Sequence, residues 1–135
     1  MAAGYSGTPL VQKLGIKPGH CILFVQPPVD FATTLGELPA EVALATPTAK
    51  KLDIVLLFVK SLADLDKRFS RLADRLARNG ALWVCWPKKA SGVPTDLTEN
   101  VVRDHGLDVG LVDIKVCAVD ETWSGLKFVI RRADR

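Results

Sequence analysis

The chain has 135 residues, enough for one domain with a real core and too few for two ordinary ones. Hydrophobic residues make up 48% and charged residues 24%, which excludes an intrinsically disordered chain. The formal net charge of +3 is too small to argue for specific nucleic-acid binding, and no apolar run approaches membrane-spanning length.

Residues 1–8, with Gly4-Tyr5-Ser6-Gly7, read as a flexible lead-in that lacks the basic and apolar blocks of a signal peptide. Thr8-Pro9 is a cap followed by proline in the first helical position, which predicts a short helix over 9–14 ended by Gly15. Lys17-Pro18-Gly19 is a turn. Cys21–Val25 is apolar without alternation and reads as a first buried strand, running into Gln26-Pro27-Pro28. A helical piece over 30–35, closed by Gly36, leads to a weak edge strand at 42–45 and a loop at 47–51.

Residues 53–59 are the clearest strand. Ser61 then caps a long helix with Asp64 at capping-box spacing, and Leu62, Leu65, Phe69, Leu72 and Leu76 recur on one face. Asn79-Gly80 is predicted to stop that helix. Residues 81–86, Ala-Leu-Trp-Val-Cys-Trp, form a second fully buried strand that Pro87 must end, because proline cannot donate to the ladder. Asp96 and Glu99 have capping-box spacing for a helix of about three turns, with Gly106 as its stop. Residues 111–119 alternate, with Val112, Ile114, Val116 and Ala118 expected on one face and Asp113 and Lys115 on the other. A loop over 120–125, a last strand over 126–130 and a tail from Arg131 complete the chain, the last two strands pairing as an antiparallel hairpin.

This order predicts a single α/β domain, a Rossmann-like three-layer sandwich whose mostly parallel sheet ends in an antiparallel hairpin. Three cysteines, Cys21, Cys85 and Cys117, sit in apolar strands without paired spacing, so they read as buried free thiols of a protein from the reducing cytoplasm. His20 opens a strand and His105 closes a helix; neither has metal-ligand spacing, and both read as structural.

The segments 53–59 (Asp-Ile-Val-Leu-Leu), 61–79 and 78–84 (Arg-Asn-Gly-Ala-Leu-Trp-Val), followed by helix and hairpin, resemble the second half of a Rossmann-type methyltransferase. The resemblance implies a glycine-rich cofactor loop after the first strand and an acidic residue after the second. Gln26-Pro27-Pro28-Val29-Asp30 stands in the first place and Ala45-Thr46-Pro47 in the second. Two prolines remove two donors and fix the backbone, so S-adenosylmethionine in the usual mode is not expected, and no cofactor is assigned. Three blocks also resemble a family of short bacterial proteins known as domain of unknown function 3052. They are Gly4-Tyr5-Ser6-Gly7-Thr8-Pro9-Leu10, the stretch 83–96 from Trp-Val-Cys-Trp-Pro-Lys-Lys to Val-Pro-Thr-Asp, and 116–126 around Asp120-Glu121-Thr122-Trp123-Ser124-Gly125. That family label implies no activity.

Function must come from the loops at the carboxyl ends of the strands, where ligands bind in open α/β sheets. Lys88 and Lys89 leave such an end, Ser91 and Gly92 add a hydroxyl and an unhindered backbone, and Thr95 lies beside a helix start: a combination suited to an anion. Tyr5, Asp120, Glu121, Trp123 and Ser124 are expected on the same rim, with Trp123 or Tyr5 stacking on a flat ring and Asp120 or Glu121 accepting from hydroxyls or amines. The competing reading makes Trp123 a plug on the hairpin and pairs Asp120 and Glu121 with the two lysines. Neither Ser91 nor Ser124 has a histidine partner in view, so no catalytic residue is named. The expectation is a non-catalytic anion- or nucleotide-binding or regulatory domain, with no membrane or specific nucleic-acid partner. The alternatives are a homodimerising interaction module and a degenerate S-adenosylmethionine-dependent methyltransferase.

Overall fold

The computed structural model describes residues 8–46 and 48–135. Four strands, β1 (Cys21–Val25), β2 (Ala43–Leu44), β3 (Leu52–Phe58) and β4 (Leu76–Pro87), run parallel. β5 (Leu111–Ala118) and β6 (Trp123–Ile130) form the closing antiparallel hairpin, with β6 also antiparallel to β4. The sheet order is β2-β1-β3-β4-β6-β5. The chain steps from β1 outward to β2, then returns past β1 to β3 and proceeds the other way, so its direction of winding reverses between β1 and β3.

Both faces of β3 and of β4 from Gly80 onward are covered, which is why these strands are apolar without alternation, whereas β1, expected to be buried, fully buries only Ile22. Ile54, Leu56 and Phe58 pack with Leu10 and Leu14 of α1 (Leu10–Leu14) and Phe31 and Leu35 of α2 (Phe31–Leu35). Val55 and Leu57 point the other way, onto Leu65, Phe69 and Leu72 of α3 (Leu62–Ala73) and Val102 of α4 (Glu99–Val109). Each fully buried Leu or Phe contributes roughly 1.5–3 kcal/mol relative to leaving it in water. Trp83 is wholly buried, and its Nε1–H donates to the Leu14 carbonyl at 3.0 Å, so one side chain both fills the core and satisfies an open carbonyl at the end of α1. Among the described residues no helix is long and apolar enough to cross a membrane.

Several boundaries differ from the sequence expectation. α3 ends at Ala73, six residues before Asn79, and Leu76 is already in β4 beside Leu52. Arg75 makes that break: its side chain donates to the carbonyls of Ala49 (2.7 Å) and Thr46 (3.1 Å), while its own carbonyl accepts from Leu52 N. Gly80 lies inside β4, where a Cβ would come 2.4 Å from the Leu52 carbonyl oxygen. α4 begins at Glu99 with Thr98 as its cap, Oγ1 accepting from Val101 N. Gly106 does not end α4; the helix runs to Val109 and stops at Gly110, which takes the left-handed conformation at φ 111°. His105 therefore lies within the helix, its ring edge-on to Phe69.

The alternation expected for β5 is interrupted by a register shift between Asp113 and Lys115. Val112 and Cys117 pack toward the α1–α2 layer, while Ile114 and Val116 are 57% and 44% exposed. A bulge with a lysine beside it is a common way to blunt an edge strand. β6 starts at Trp123, three residues earlier than expected, so the hairpin loop is short. After Arg131 the chain makes one 3-10 turn, Arg132–Asp134.

Candidate functional site

The exit of β4 is built by the ladder itself. Lys88 N donates to the Thr122 carbonyl at 2.7 Å, extending the β4–β6 pairing one residue past Pro87. Lys89–Ser91 then forms a single 3-10 turn closed by Gly92 at φ 76°, a conformation that favours glycine. Ser91 serves this turn: its Oγ donates to the Lys88 carbonyl (2.6 Å) and accepts from Val93 N (3.2 Å).

Two polar side chains then tie the β4–α4 connection to the start of α3. Thr95 Oγ1 donates to the Lys60 carbonyl at 2.6 Å and accepts from Leu97 N. Asp96 is not the cap of α4 that its spacing with Glu99 suggested. Its Oδ1 accepts from Leu62 N at 2.8 Å, so it caps α3 beside Ser61, whose Oγ accepts from Asp64 N. A carboxylate there also suits the positive end of the helix dipole.

The result is a cavity of about 420 Å³ lined by Trp86, Lys88, Lys89, Thr95, Leu97 and Ser124, with Asp96, Thr98 and Glu99 along the start of α4. Its carboxylates are committed elsewhere: Asp96 to Leu62 N, and Glu99 to Arg103 at 2.7 Å. Neither lysine enters an ion pair among the described residues. The pairing of Asp120 or Glu121 with the lysines does not occur there either. Asp120 Oδ1 accepts from Thr122 N (2.8 Å) and Trp123 N (2.7 Å), which makes it the organiser of its own turn, and Glu121 is exposed.

Four of the ten sequence-selected residues, Lys88, Lys89, Thr95 and Ser124, thus share one cavity. Ser91, Gly92, Asp120 and Glu121 shape or flank the loops without lining it. Tyr5 lies outside the described residues. Trp123 faces elsewhere: it is 9% exposed, edge-on to Phe58 at 5.2 Å, and belongs to the α1–α2 side of the core. What it shows to solvent borders a different cavity of about 540 Å³, at the ends of β1 and β3.

That second cavity occupies the point where the winding reverses, the usual ligand crevice of an open α/β sheet. Gln26, Pro27, Pro28, Lys60, Ser61 and Asp64 line it with Trp123. Gln26 takes a left-handed backbone, φ 57°, and its Nε2 donates both to the Phe58 carbonyl (2.9 Å) and to Asp64 Oδ2 (2.8 Å). Asp64 is further paired with Arg68 at 2.8 Å. Burial pushes the Asp64 carboxyl up, but the hydrogen bonds from Gln26 and Arg68 outweigh it and hold the group below its ordinary range. Gln26, Lys60 and Asp64 are not among the residues expected from the sequence to meet a ligand. The signal that finds them is the weak second strand, which places the reversal between β1 and β3. Among the described residues no group of three or more His, Cys, Asp or Glu is placed to hold a metal ion.

No family model matches the chain, and no curated protein matches it in sequence. Solved structures do resemble it. A SAM-dependent methyltransferase from Aquifex aeolicus is 15% identical with a TM-score of 0.58, covering 90% of this chain and 88% of that one. A SAM-dependent O-methyltransferase from Thermotoga maritima gives 9% identity and a TM-score of 0.59 over 91% of this chain and 64% of that one. The magnesium protoporphyrin IX methyltransferase of Synechocystis with bound SAH gives 12% and 0.55 over 90% and 78%. Likeness at such identities is one of fold: the chain has a methyltransferase-like Rossmann fold.

The residues present do not fit S-adenosylmethionine in the mode that the fold family implies. The exit of β1 carries Pro27 and Pro28 in place of a glycine turn, and the Gln26 side chain bridges β1 to β3 across the crevice. β2 is two residues long and followed by Ala45-Thr46, with no carboxylate to accept from a ribose.

Proposed function

We propose that this chain is a non-catalytic binding or regulatory domain for a small anionic metabolite, a nucleotide among the candidates, built on a methyltransferase-like fold. The observation that carries the reading is the 420 Å³ cavity bordered by Lys88 and Lys89, whose neighbouring carboxylates are already bonded to Leu62 N and Arg103. Two ammonium groups that enter no ion pair among the described residues, the Ser124 hydroxyl and the start of an eleven-residue helix offer positive charge and donors to an anion, beside the carboxylates of Asp96 and Glu99. The volume lies within the range of small-molecule pockets, roughly 300–1,000 Å³. Three free thiols accord with a cytoplasmic protein, and the shared sequence blocks support kinship with the short bacterial proteins of domain of unknown function 3052.

Thermal denaturation with a panel of nucleotides tests the reading. At least one member raises the midpoint of the native chain, and K88A/K89A removes that shift without lowering the ligand-free midpoint. A panel that leaves the native midpoint unmoved refutes it.

A second reading, a self-associating module, rests on the edge strand β5 with its exposed Ile114 and Val116. Trp123 on the neighbouring strand is buried and lends nothing to that surface. Sedimentation showing a monomer at all concentrations dismisses this reading.

A further inference from the structure

The opposite rim of the sheet, at the amino ends of the parallel strands, gathers positive charge that nothing above uses. A cavity of about 410 Å³ opens there, and its charged or ionisable lining is Lys17, His20, Asp53, Arg78, Lys127 and Arg135. The set holds one acid, Asp53, whose Oδ2 accepts from Cys21 N at 2.8 Å, against the four basic side chains of Lys17, Arg78, Lys127 and Arg135. The three ion pairs among the described residues lie elsewhere, at Asp64–Arg68, Glu99–Arg103 and Asp113–Arg103.

Lys127 is the centre of this arrangement. It is half-buried in β6, with its ammonium 5.9 Å from the Trp83 ring centroid and 3.4 Å from where a Cβ on Gly15 would be. Surface lysines ordinarily swing their charge into water. Here burial, with Lys115 and Lys17 nearby, lowers the pKa of Lys127 below the usual lysine value. His20 contributes a donor: its Nδ1 accepts from Lys17 N at 3.1 Å, so the neutral ring carries its proton on Nε2. Crowding like charges costs stability in the free protein, and an anion lowers that cost on binding.

We infer that this rim is a binding site for a compact, multiply charged oxyanion, held by Lys127, Lys17 and Arg78. Diphosphates and tricarboxylates share this chemistry. The site is separate from the lysine turn at the carboxyl ends of the strands and stands whether or not that turn binds a ligand.

The test is calorimetric and thermal titration of the intact chain with pyrophosphate and, separately, citrate. It is repeated on K127M, on K17A/R78A and on K88A/K89A. Lys17 and Arg78 are exposed and enter no ion pair among the described residues, so K17A/R78A folds even if K127M does not. At least one probe binds the native chain, and K17A/R78A weakens it by about tenfold or more, the loss expected for charge-assisted hydrogen bonds. K88A/K89A leaves that binding unchanged. The tighter probe tells phosphate from carboxylate chemistry. Acetylation of Lys127, followed by peptide mass spectrometry, slows when the tighter probe is present. The inference is overturned if neither probe binds, if K17A/R78A binds as the native chain does, or if K88A/K89A alone removes the binding.

Discussion

Replacing Gly106 with alanine is a sharp test of how α4 packs. A Cβ there would lie 2.1 Å from Phe128 Cε1, 2.5 Å from Cζ and 2.6 Å from Cδ1, all well inside carbon–carbon contact distances of about 3.5–4.0 Å. Phe128 has nowhere to retreat, since it is fully buried and edge-on to Phe69 at 5.3 Å, itself fully buried. Two effects oppose each other. Alanine in a helix interior is favoured over glycine by about 0.8–1.0 kcal/mol. Overpacking costs typically 1–3 kcal/mol, and this overlap, with a rigid ring backed by another, belongs at or above the upper end of about 3 kcal/mol. The net is a destabilisation of about 2 kcal/mol, or roughly 8 °C at about 4 °C per kcal/mol for a chain of this size. Urea unfolding gives the free energy and calorimetry the midpoint. In a Phe128→Leu background the same substitution should cost far less, because the colliding ring atoms are gone. A G106A chain as stable as the native one, or a cost equal in the two backgrounds, refutes this packing.

In the native state one thiol, Cys21, reacts with Ellman's reagent within minutes, and all three react after denaturation. Burial pushes the Cys85 thiol far up, and burial likewise raises Cys117 despite nearby lysines; three fast thiols in the native protein refute the burial. Asp64 has a folded-state pKa below its ordinary value of 3.8, so its ionised form contributes stability in full above that value and loses it as pH falls toward the folded-state pKa. D64N should therefore be less stable than the native chain near neutral pH and show a flatter loss of melting temperature on the acid side; parallel acid limbs count against the assignment. Asp96→Ala removes a cap from α3 and costs about 1 kcal/mol, while D96N keeps an acceptor and loses less. Urea midpoints that put both variants level with the native chain exclude that cap.

The central strands were legible because burial on two faces leaves an unmistakable composition: 53–59 and 81–86 are runs that no amphipathic helix requires. The ends of elements were less so, because partners remote in sequence decide them. Leu76 continues the helical spacing of Leu72, and only the reach of Arg75 to Thr46 and Ala49 tells where α3 breaks. Gly106 has the look of a stop signal, yet Phe128, on the far hairpin, is what requires it. Asp96 is three residues from Glu99, but its bonding partner, Leu62 N, is 34 residues away. At the candidate site, the lysine turn and its neighbours Thr95 and Ser124 were readable from strand ends. The placement of Trp123 against Phe58 was not, since a tryptophan in a predicted loop gives no hint of which core will take it. Gln26 was hidden by its plainness: nothing in a glutamine before two prolines announces a positive φ and a bridge to a neighbouring strand.

Thr95 and Asp96 fasten one crossover connection to the next, and Asp64 passes the fastening on to Gln26. The carboxyl-end rim from Asp96 through the start of α3 to Gln26 is therefore a single truss rather than a set of separate loops. A guest that shifts residues 95–96 must also uncap Leu62, and loosening that first turn slackens the brace beneath the proline corner. Amide exchange at Leu62 is the natural gauge of load anywhere along this span.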